Sequence, residues 1–380
     1  MFCSKCGNNM GDSRFCSRCG NDSQAATQSG KTTYYSNDFN SSVEQVDVDI
    51  KEKVKSTFED MTGGDNSNVP FRLRDLFDNV MQKHSEEESE ALLISGTLEH
   101  TPSKKDMADN WPRPWLYSRV FTVLVSTFIL LLVCTWIFEN TLSIPGLVVI
   151  GAMMMPFTLL VLFWETNIPR NISIFELVKM FFVGGVSSLV FTLTIFSFVP
   201  VGDLNFFGAI MVGIVEEVGK LVAVALFIRK FKTRYILNGL LIGAAIGAGF
   251  AGFESAGYAL VYTDSLGGIL ENIILRGVLA AGGHVVWAAI SGAAIMMAME
   301  NDELSMNVFK RVKFLRLFAV PVVLHALWDM PFSSLPVLAL LTVVAWVFVL
   351  ALIRTGMAEI TRISEKAKAE ANETLLLITE

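Results

Sequence analysis

Residues 206–228 read FFGAIMVGIVEEVGKLVAVALFI, an apolar run that nevertheless carries Glu216, Glu217 and Lys220. A membrane-spanning helix needs roughly 20 predominantly apolar residues, and this run is long enough. Charged side chains are costly inside a bilayer, so ionisable residues within a span are candidates for a functional site. This stretch therefore predicts a helical membrane fold and also marks where its chemistry lies.

Seven further apolar segments accompany this run and complete the predicted fold. The eight segments cover residues 116–138, 144–164, 174–199, 206–228, 238–262, 270–298, 316–332 and 334–353. The chain of 380 residues is 52% hydrophobic and 18% charged, whereas soluble domains carry roughly 25% charged residues. The composition argues against a purely soluble enzyme and predicts an all-α polytopic membrane protein with eight transmembrane helices.

The charges between the spans predict their orientation. Residues 229–234 and 310–316 each contain four basic residues. The alternate connections contain neither lysine nor arginine, and they cover residues 139–142, 200–205 and 263–268. Because cytoplasmic loops carry an excess of Lys and Arg, we expect a multi-pass protein of the cell membrane with both termini in the cytoplasm.

Four of the five cysteines lie at the start of the chain, in two Cys-x-x-Cys pairs that are each followed by glycine. The pairs are Cys3 with Cys6 and Cys16 with Cys19, separated by nine residues. Four thiolates in tetrahedral geometry suit Zn²⁺ and leave no open position for catalysis. We expect a structural zinc ribbon over residues 1–22, with two redox pairs or free thiols as the alternative.

Three further regions follow the predicted ribbon. The polar region 23–110 is interpreted as a flexible linker that contains short amphipathic helices. Every fourth residue from Val46 to Phe58 is apolar, which predicts the first of these helices. The membrane domain is expected over residues 111–355, and the charged segment 356–380 is expected to form a cytoplasmic helical tail.

Further ionisable residues lie inside the predicted spans, and several of them are four residues apart. Residues four apart on a helix lie on the same face. The pairs are Glu216 with Lys220, Glu254 with Tyr258, and His325 with Asp329, and the sixth span adds His284. A carboxylate beside imidazoles can hold and deprotonate a water molecule. Two histidines and a glutamate can also form a zinc site with an open position. The set predicts hydrolysis, and the alternative is that the paired charges only hold helices in register.

These motifs, in this order, resemble the PrsW family of intramembrane proteases, which is related to the CAAX-processing and bacteriocin-immunity-type membrane proteases. The resemblance covers about residues 111–355 and rests on Glu-Glu-x-x-Lys, Phe-Glu-x-x-x-Tyr, a lone His, and His-x-x-x-Asp, each in a separate span. It implies an endopeptidase that cleaves a membrane-anchored protein in or near the bilayer.

The resemblance also implies roles for individual residues. The implied catalytic residues are Glu216, Glu217, His284 and His325. The implied supporting residues are Lys220, Glu254, Tyr258 and Asp329, with Asp329 orienting His325. The family's mechanism is described either as a glutamate-activated water without metal or as metal-dependent, with a catalytic zinc held here by His284, His325 and Glu217. The sequence leaves both mechanisms open.

Two other classes of function fit parts of the pattern. Buried glutamate, lysine and histidine also build proton relays in ion-coupled transporters, although the chain shows no internal repeat. A non-catalytic receptor or scaffold would use the zinc ribbon to bind a cytoplasmic protein partner. For the protease, the expected partners are a membrane-anchored protein substrate and the lipid bilayer. No specific nucleic acid is expected, because the net charge is −7.

Overall fold

The computed structural model describes residues 50–64, 69–97, 99–109, 112–199, 201–202, 204–231, 235–261, 263, 265–299 and 303–379. Every regular element within these ranges is a helix, which confirms the all-α class. The chain divides into two compact units, Met1–Phe58 and Glu59–Glu380. The predicted zinc ribbon and its four cysteines lie outside the described residues.

Twelve α-helices lie within the described ranges. The first six are α1 over residues 50–62, α2 Glu86–Leu93, α3 Leu116–Trp136, α4 Ile144–Glu165, α5 Ile174–Lys179 and α6 Gly185–Phe198. The others are α7 Phe206–Phe231, α8 Ile236–Val261, α9 Leu266–Leu279, α10 His284–Ala298, α11 Val312–Trp328 and α12 Leu335–Thr379. A π-helical turn, Met180–Gly184, joins α5 to α6. Helix α12 continues without interruption from the last predicted span into the predicted tail.

Six helical segments of the described chain are long and apolar enough to cross a membrane. They are Leu116–Trp136, Thr141–Glu165, Ile174–Phe198, Ile236–Val261, Leu266–Ala298 and Leu335–Thr374. The protein is therefore an integral membrane protein. The other two predicted spans are α7, which carries two glutamates and three basic residues, and α11, which has 17 residues. The charged residues of α7 and the short length of α11 distinguish these two helices from the six long apolar segments.

Helix α8 is the centre of the bundle and is buried along most of its length. It packs most extensively against α10, with α4 and α6 on its other sides. Gly239, Gly243 and Gly247 lie on the face towards α10, and a Cβ atom at Gly243 would lie 2.0 Å from the carbonyl oxygen of Ala288. Small residues four apart let two helices approach closely. This contact determines how close α10 lies to the rest of the bundle.

Glu165, at the end of α4, fixes the beginning of α3. Its buried carboxylate accepts hydrogen bonds from the backbone N–H groups of Trp115, Leu116 and Tyr117, at 2.8, 2.8 and 2.9 Å. The first N–H groups of a helix have no partner within the helix, and a negative charge there also interacts favourably with the helix dipole. The carboxylate therefore ties the first span to the second.

Part of the region interpreted as a linker packs against the membrane domain. Phe71, Leu76 and Met107 are 1%, 2% and 5% exposed and belong to the main apolar core. Arg354 Nε of α12 donates a hydrogen bond to the carbonyl of Phe71. A 3-10 turn, Leu73–Leu76, follows Phe71 and ends at Leu76. These three residues of the region interpreted as a linker therefore bury their side chains in the core of the domain that follows.

Candidate active site

The sixth predicted span is broken, and the break places His284. Helix α9 ends at Leu279, a 3-10 turn covers Ala280–Gly282, and α10 begins at His284. Gly283 between them has φ −99° and ψ −141°, which is not helical. Irregular backbone at membrane depth is tolerated where protein encloses it or where it lines a cavity. His284 therefore lies in the first turn of a helix, at the side of an interior cavity.

Helix α7 brings two carboxylates and an ammonium group into the bundle. Glu217 and Lys220 are fully buried, and Glu216 is 7% exposed. Lys220 Nζ lies 2.6 Å from Glu217 Oε1 and 3.9 Å from Glu216 Oε2. Residues three and four apart on a helix are both within reach of a lysine side chain. The closer ion pair is with Glu217, whereas the spacing in the sequence suggested Glu216.

His325, near the end of α11, contacts both glutamates. Its Nδ1 lies 2.8 Å from Glu217 Oε1, and its Nε2 lies 3.6 Å from Glu216 Oε2 and 3.4 Å from Asp329 Oδ2. An ionised carboxylate only accepts hydrogen bonds, so Nδ1 donates to Glu217. Glu217 therefore orients the imidazole. Asp329, for which the sequence predicted this role, lies 3.4 Å from the other ring nitrogen, so carboxylates contact both sides of the imidazole.

His284 is held from two sides by charged groups. Its Nδ1 lies 2.8 Å from Lys220 Nζ, and its Nε2 lies 2.9 Å from Glu254 Oε2. Because an ammonium group only donates, Nδ1 accepts from Lys220 and Nε2 donates to Glu254. Trp287 contacts His284 edge-on and stacks on His325, with ring centroids 5.1 and 4.5 Å apart. These contacts fix the orientation of both imidazoles.

Arg276 on α9 extends the polar cluster and was not among the predicted site residues. Its Nε donates to Ser255 Oγ at 3.0 Å, and its Nη2 donates to Glu254. The guanidinium lies 4.4 Å from the ring centroid of Tyr258. Arg276 lies inside the sixth predicted span. The criterion that identified the other residues, a charge within an apolar segment, therefore also applies to Arg276.

The cluster surrounds a cavity of about 480 Å³. Six of the eight predicted site residues line it, namely Glu216, Glu254, Tyr258, His284, His325 and Asp329. Much of the remaining lining is apolar, including Phe196, Leu204, Val212 and Trp328. The other two predicted residues, Glu217 and Lys220, are fully buried and do not line the cavity. Of the two neighbouring glutamates, Glu216 is thus the one that a bound molecule can reach.

Glu216, His284 and His325 form a cluster that could hold a metal ion. One ligand atom from each residue lies within 4.8 Å of the other two. Glu216 Oε2 is buried and has no hydrogen-bond partner among the described residues, which suits an acceptor that receives a cation. Two imidazoles and a carboxylate are also a zinc ligand set. The residues fit a divalent cation that replaces Lys220 or Glu254 at one nitrogen of His284, with Glu216 in the place where the sequence suggested Glu217.

A helical membrane domain whose carboxylates and imidazoles meet around an interior cavity has the architecture of an intramembrane hydrolase. Residues 173–353 match the family model described as PrsW family intramembrane metalloprotease. Residues 173–353, just under half of the chain, are thus similar to the PrsW family, and the match supports a PrsW-like intramembrane protease. The match begins at residue 173, later than the resemblance expected from residue 111. Comparisons with curated proteins and with solved structures gave no match.

Proposed function

We propose that the protein hydrolyses a peptide bond of a membrane-anchored protein inside the cavity lined by residues of helices α6 to α11. The observation that carries the proposal is the meeting of Glu216, His284 and His325 at this cavity. The family match supports the reaction class. The apolar part of the lining suits a substrate segment that comes from the bilayer.

Glu216 is the residue on which we place the hydrolytic chemistry. Its Oε2, which has no hydrogen-bond partner among the described residues, can hold a water molecule and take its proton as the water attacks the scissile carbonyl. The same carboxyl can then return that proton to the leaving amine. Glu217 acts through His325, because its hydrogen bond to Nδ1 directs Nε2 towards Glu216.

The same residues would hold a catalytic cation, for which we propose zinc. Glu216, His284 and His325 would be its ligands, and a bound cation would polarise the scissile carbonyl and activate the attacking water. Asp329 adds a further carboxylate to the cavity wall, whereas the charge of Glu254 is balanced there by Arg276. Glu216 is required in both forms of the chemistry, as a base or as a ligand.

The test is cleavage of a tagged single-span reporter by the protein reconstituted in lipid vesicles. Glu216→Gln and His325→Ala should each reduce kcat by at least about a hundredfold, the usual contribution of a general base or more. Glu271→Gln, which removes an exposed carboxylate on α9, is the matched control and should cleave normally. Thermal unfolding of each variant checks that the fold is retained. Full activity of Glu216→Gln and His325→Ala would overturn the proposal.

We also propose the orientation and the role of the N-terminal segment. Basic residues at the end of α7 and around the start of α11 support placing these ends on the cytoplasmic side of the cell membrane. With eight crossings, both termini would lie in the cytoplasm. A structural zinc ribbon over residues 1–22 would then be accessible to a cytoplasmic protein partner.

A further inference from the structure

The cavity is lined by residues with unpaired polar atoms that the proposed chemistry does not use. Trp287 is 1% exposed, and its indole Nε1 has no hydrogen-bond partner among the described residues. Oδ1 of Asn272 is also buried and without a partner within the same ranges. Both residues line the cavity. Buried polar atoms are nearly always hydrogen-bonded, so one unpaired donor and one unpaired acceptor at a single cavity point to a ligand that supplies their partners.

Arg276 adds a second donor to the same cavity. Its Nε and Nη2 are used by Ser255 and Glu254, and no described residue accepts from its Nη1. Asn272 and Arg276 are four residues apart on α9 and therefore share a helix face. Leu275 and Leu279 belong to that face and also line the cavity. Helix α9 thus presents an acceptor, a donor and two apolar side chains together.

The spacing on α9 suits an extended peptide. Four residues of an α-helix rise about 6 Å. In an extended chain, every second residue directs its backbone groups to the same edge, at intervals of about 6.8 Å. A helical substrate segment satisfies its own backbone groups, whereas an extended segment exposes N–H and C=O groups. Lipid offers no hydrogen bonds to those groups, so the protein has to supply them.

We propose that Asn272, Leu275, Arg276 and Leu279, together with Trp287, form a subsite that binds the backbone of an extended, apolar substrate segment beside Glu216. Asn272 Oδ1 accepts from a substrate N–H, and Trp287 Nε1 and Arg276 Nη1 donate to substrate carbonyls. The subsite selects membrane-anchored proteins whose spanning helix unwinds easily, such as those with glycine or serine in the span. This inference rests on the proposed function for the reaction but concerns binding alone.

The experiment measures binding with the catalytic carboxylate removed. Full-length Glu216→Gln protein in detergent is titrated with two fluorescent, lysine-flanked peptides of roughly 20 core residues. One peptide has an uninterrupted Leu/Ala core, and the other has Gly-Gly-Ser at its centre. We expect the glycine-containing peptide to bind about tenfold more tightly, because glycine weakens the helix that must be opened.

Variants of the subsite then test the individual contacts. In the same background, Asn272→Leu and Trp287→Phe should each weaken binding of the glycine-containing peptide about fivefold, the effect of one hydrogen bond. Glu271→Gln, next to Asn272 but exposed, should bind the peptide unchanged. In the otherwise wild-type protein, Asn272→Leu should raise KM and leave kcat nearly unchanged, whereas Glu216→Gln removes kcat.

The outcomes separate this inference from the proposed function. Equal binding of the two peptides, absence of binding, or unchanged binding in both Asn272→Leu and Trp287→Phe would overturn the subsite. Selective binding without cleavage by the wild-type protein would overturn the proposed function and support the subsite. Cleavage with unchanged KM in Asn272→Leu would support the proposed function and overturn the subsite.

Discussion

Lys220 provides a buried positive charge at the site. Its ammonium contacts Glu217 Oε1 at 2.6 Å and His284 Nδ1 at 2.8 Å, and it lies 4.5 Å from the ring centroid of Phe250. A buried charge loses its hydration, and only well-placed partners compensate for that loss. Lys220 therefore balances the charge of α7 and also engages a ring nitrogen of His284, with Glu254 on the other. A cation bound to His284 would have to replace one of these two partners.

Replacing Lys220 with methionine should destabilise the protein strongly. Lys220→Met leaves Glu217 buried without its ion pair, and removing one partner of such a pair costs about 3–5 kcal/mol. We expect a fall of several degrees in the midpoint of thermal unfolding in detergent. Lys313→Met, which changes an exposed lysine on α11, is the control and should stay within about 0.5 kcal/mol of the wild type. Equal midpoints for the two variants would contradict this role of Lys220.

Added zinc should act differently on these two variants. If a cation occupies the cavity, it can replace part of the positive charge lost in Lys220→Met, and it no longer competes with an ammonium for His284 Nδ1. We expect zinc to raise the unfolding midpoint of Lys220→Met by more than that of Lys313→Met. A smaller shift in Lys220→Met, measured at matched zinc concentrations, would show that the ammonium does not compete with a metal.

At the scale of residues, the sequence predicted the contact of His325 with Asp329 but not the closer contacts that His325 and Lys220 make with Glu217. Ionisable groups inside apolar runs are conspicuous, so eight residues around or behind the cavity could be found. Helical spacing places Glu216 and Glu217 about 100° apart but does not say which of them faces the cavity. That depends on the packing of α11 and α10 against α7, which brings His325 onto Glu217 and leaves Glu216 accessible.

At the scale of elements, the contact between α8 and α10 positions His284 relative to α7. Gly247 belongs to this contact, since an added Cβ atom there would lie 2.4 Å from the carbonyl oxygen of His284. A Cβ atom at Gly243 would lie 2.0 Å from the carbonyl oxygen of Ala288, one turn further along α10. Backbone atoms cannot move aside as a flexible side chain can. A larger residue in α8 would therefore displace α10 as a whole.

Gly243→Ala should reduce both stability and activity, although alanine favours helices. Overpacking of this kind costs about 1–3 kcal/mol, and a displacement of His284 by about 1 Å could reduce kcat a hundredfold. Gly257→Ala in the same helix is the matched control, because an added Cβ atom there has no neighbour within 4 Å among the described residues. Its stability should be equal to that of the wild type or up to about 1 kcal/mol higher. The same unfolding midpoint in both variants would show that the contact tolerates expansion.

The break between α9 and α10 illustrates why the elements were predicted less well than the residues. Residues 270–298 form an uninterrupted apolar run, so hydropathy predicts a single span. Gly282 and Gly283 permit a break but do not require one. A Cβ atom at Gly282 would lie 2.0 Å from Thr342 Oγ1 of α12. The break therefore depends on a contact with a helix about 60 residues later in the chain, which local sequence patterns cannot show.

At the scale of the whole molecule, the distribution of basic residues predicts the orientation in the membrane. Reporter domains fused to the two ends should both be cytoplasmic, because residues 229–234 and 310–316 are basic and the alternate loops are not. Substituting the basic residues of 310–316 with glutamine should weaken this preference and give a mixed population. An N-terminal reporter outside the cytoplasm in the wild type would contradict the predicted topology.

The two predicted zinc sites should be separable by metal analysis of the purified full-length protein. Cys3→Ser should remove about one zinc per chain, because four thiolates hold a single ion. It should leave the unfolding midpoint of the membrane domain unchanged, since the four cysteines precede the segment 111–355 expected to form that domain. Glu216→Gln combined with His325→Ala should remove a second zinc and leave the first in place. Full retention of zinc in Cys3→Ser would contradict the ribbon. If the Glu216→Gln, His325→Ala double variant holds as much zinc as the wild type, that would contradict a metal at Glu216. Because each variant is compared with the other, the measurement assigns each ion to one unit without requiring a substrate.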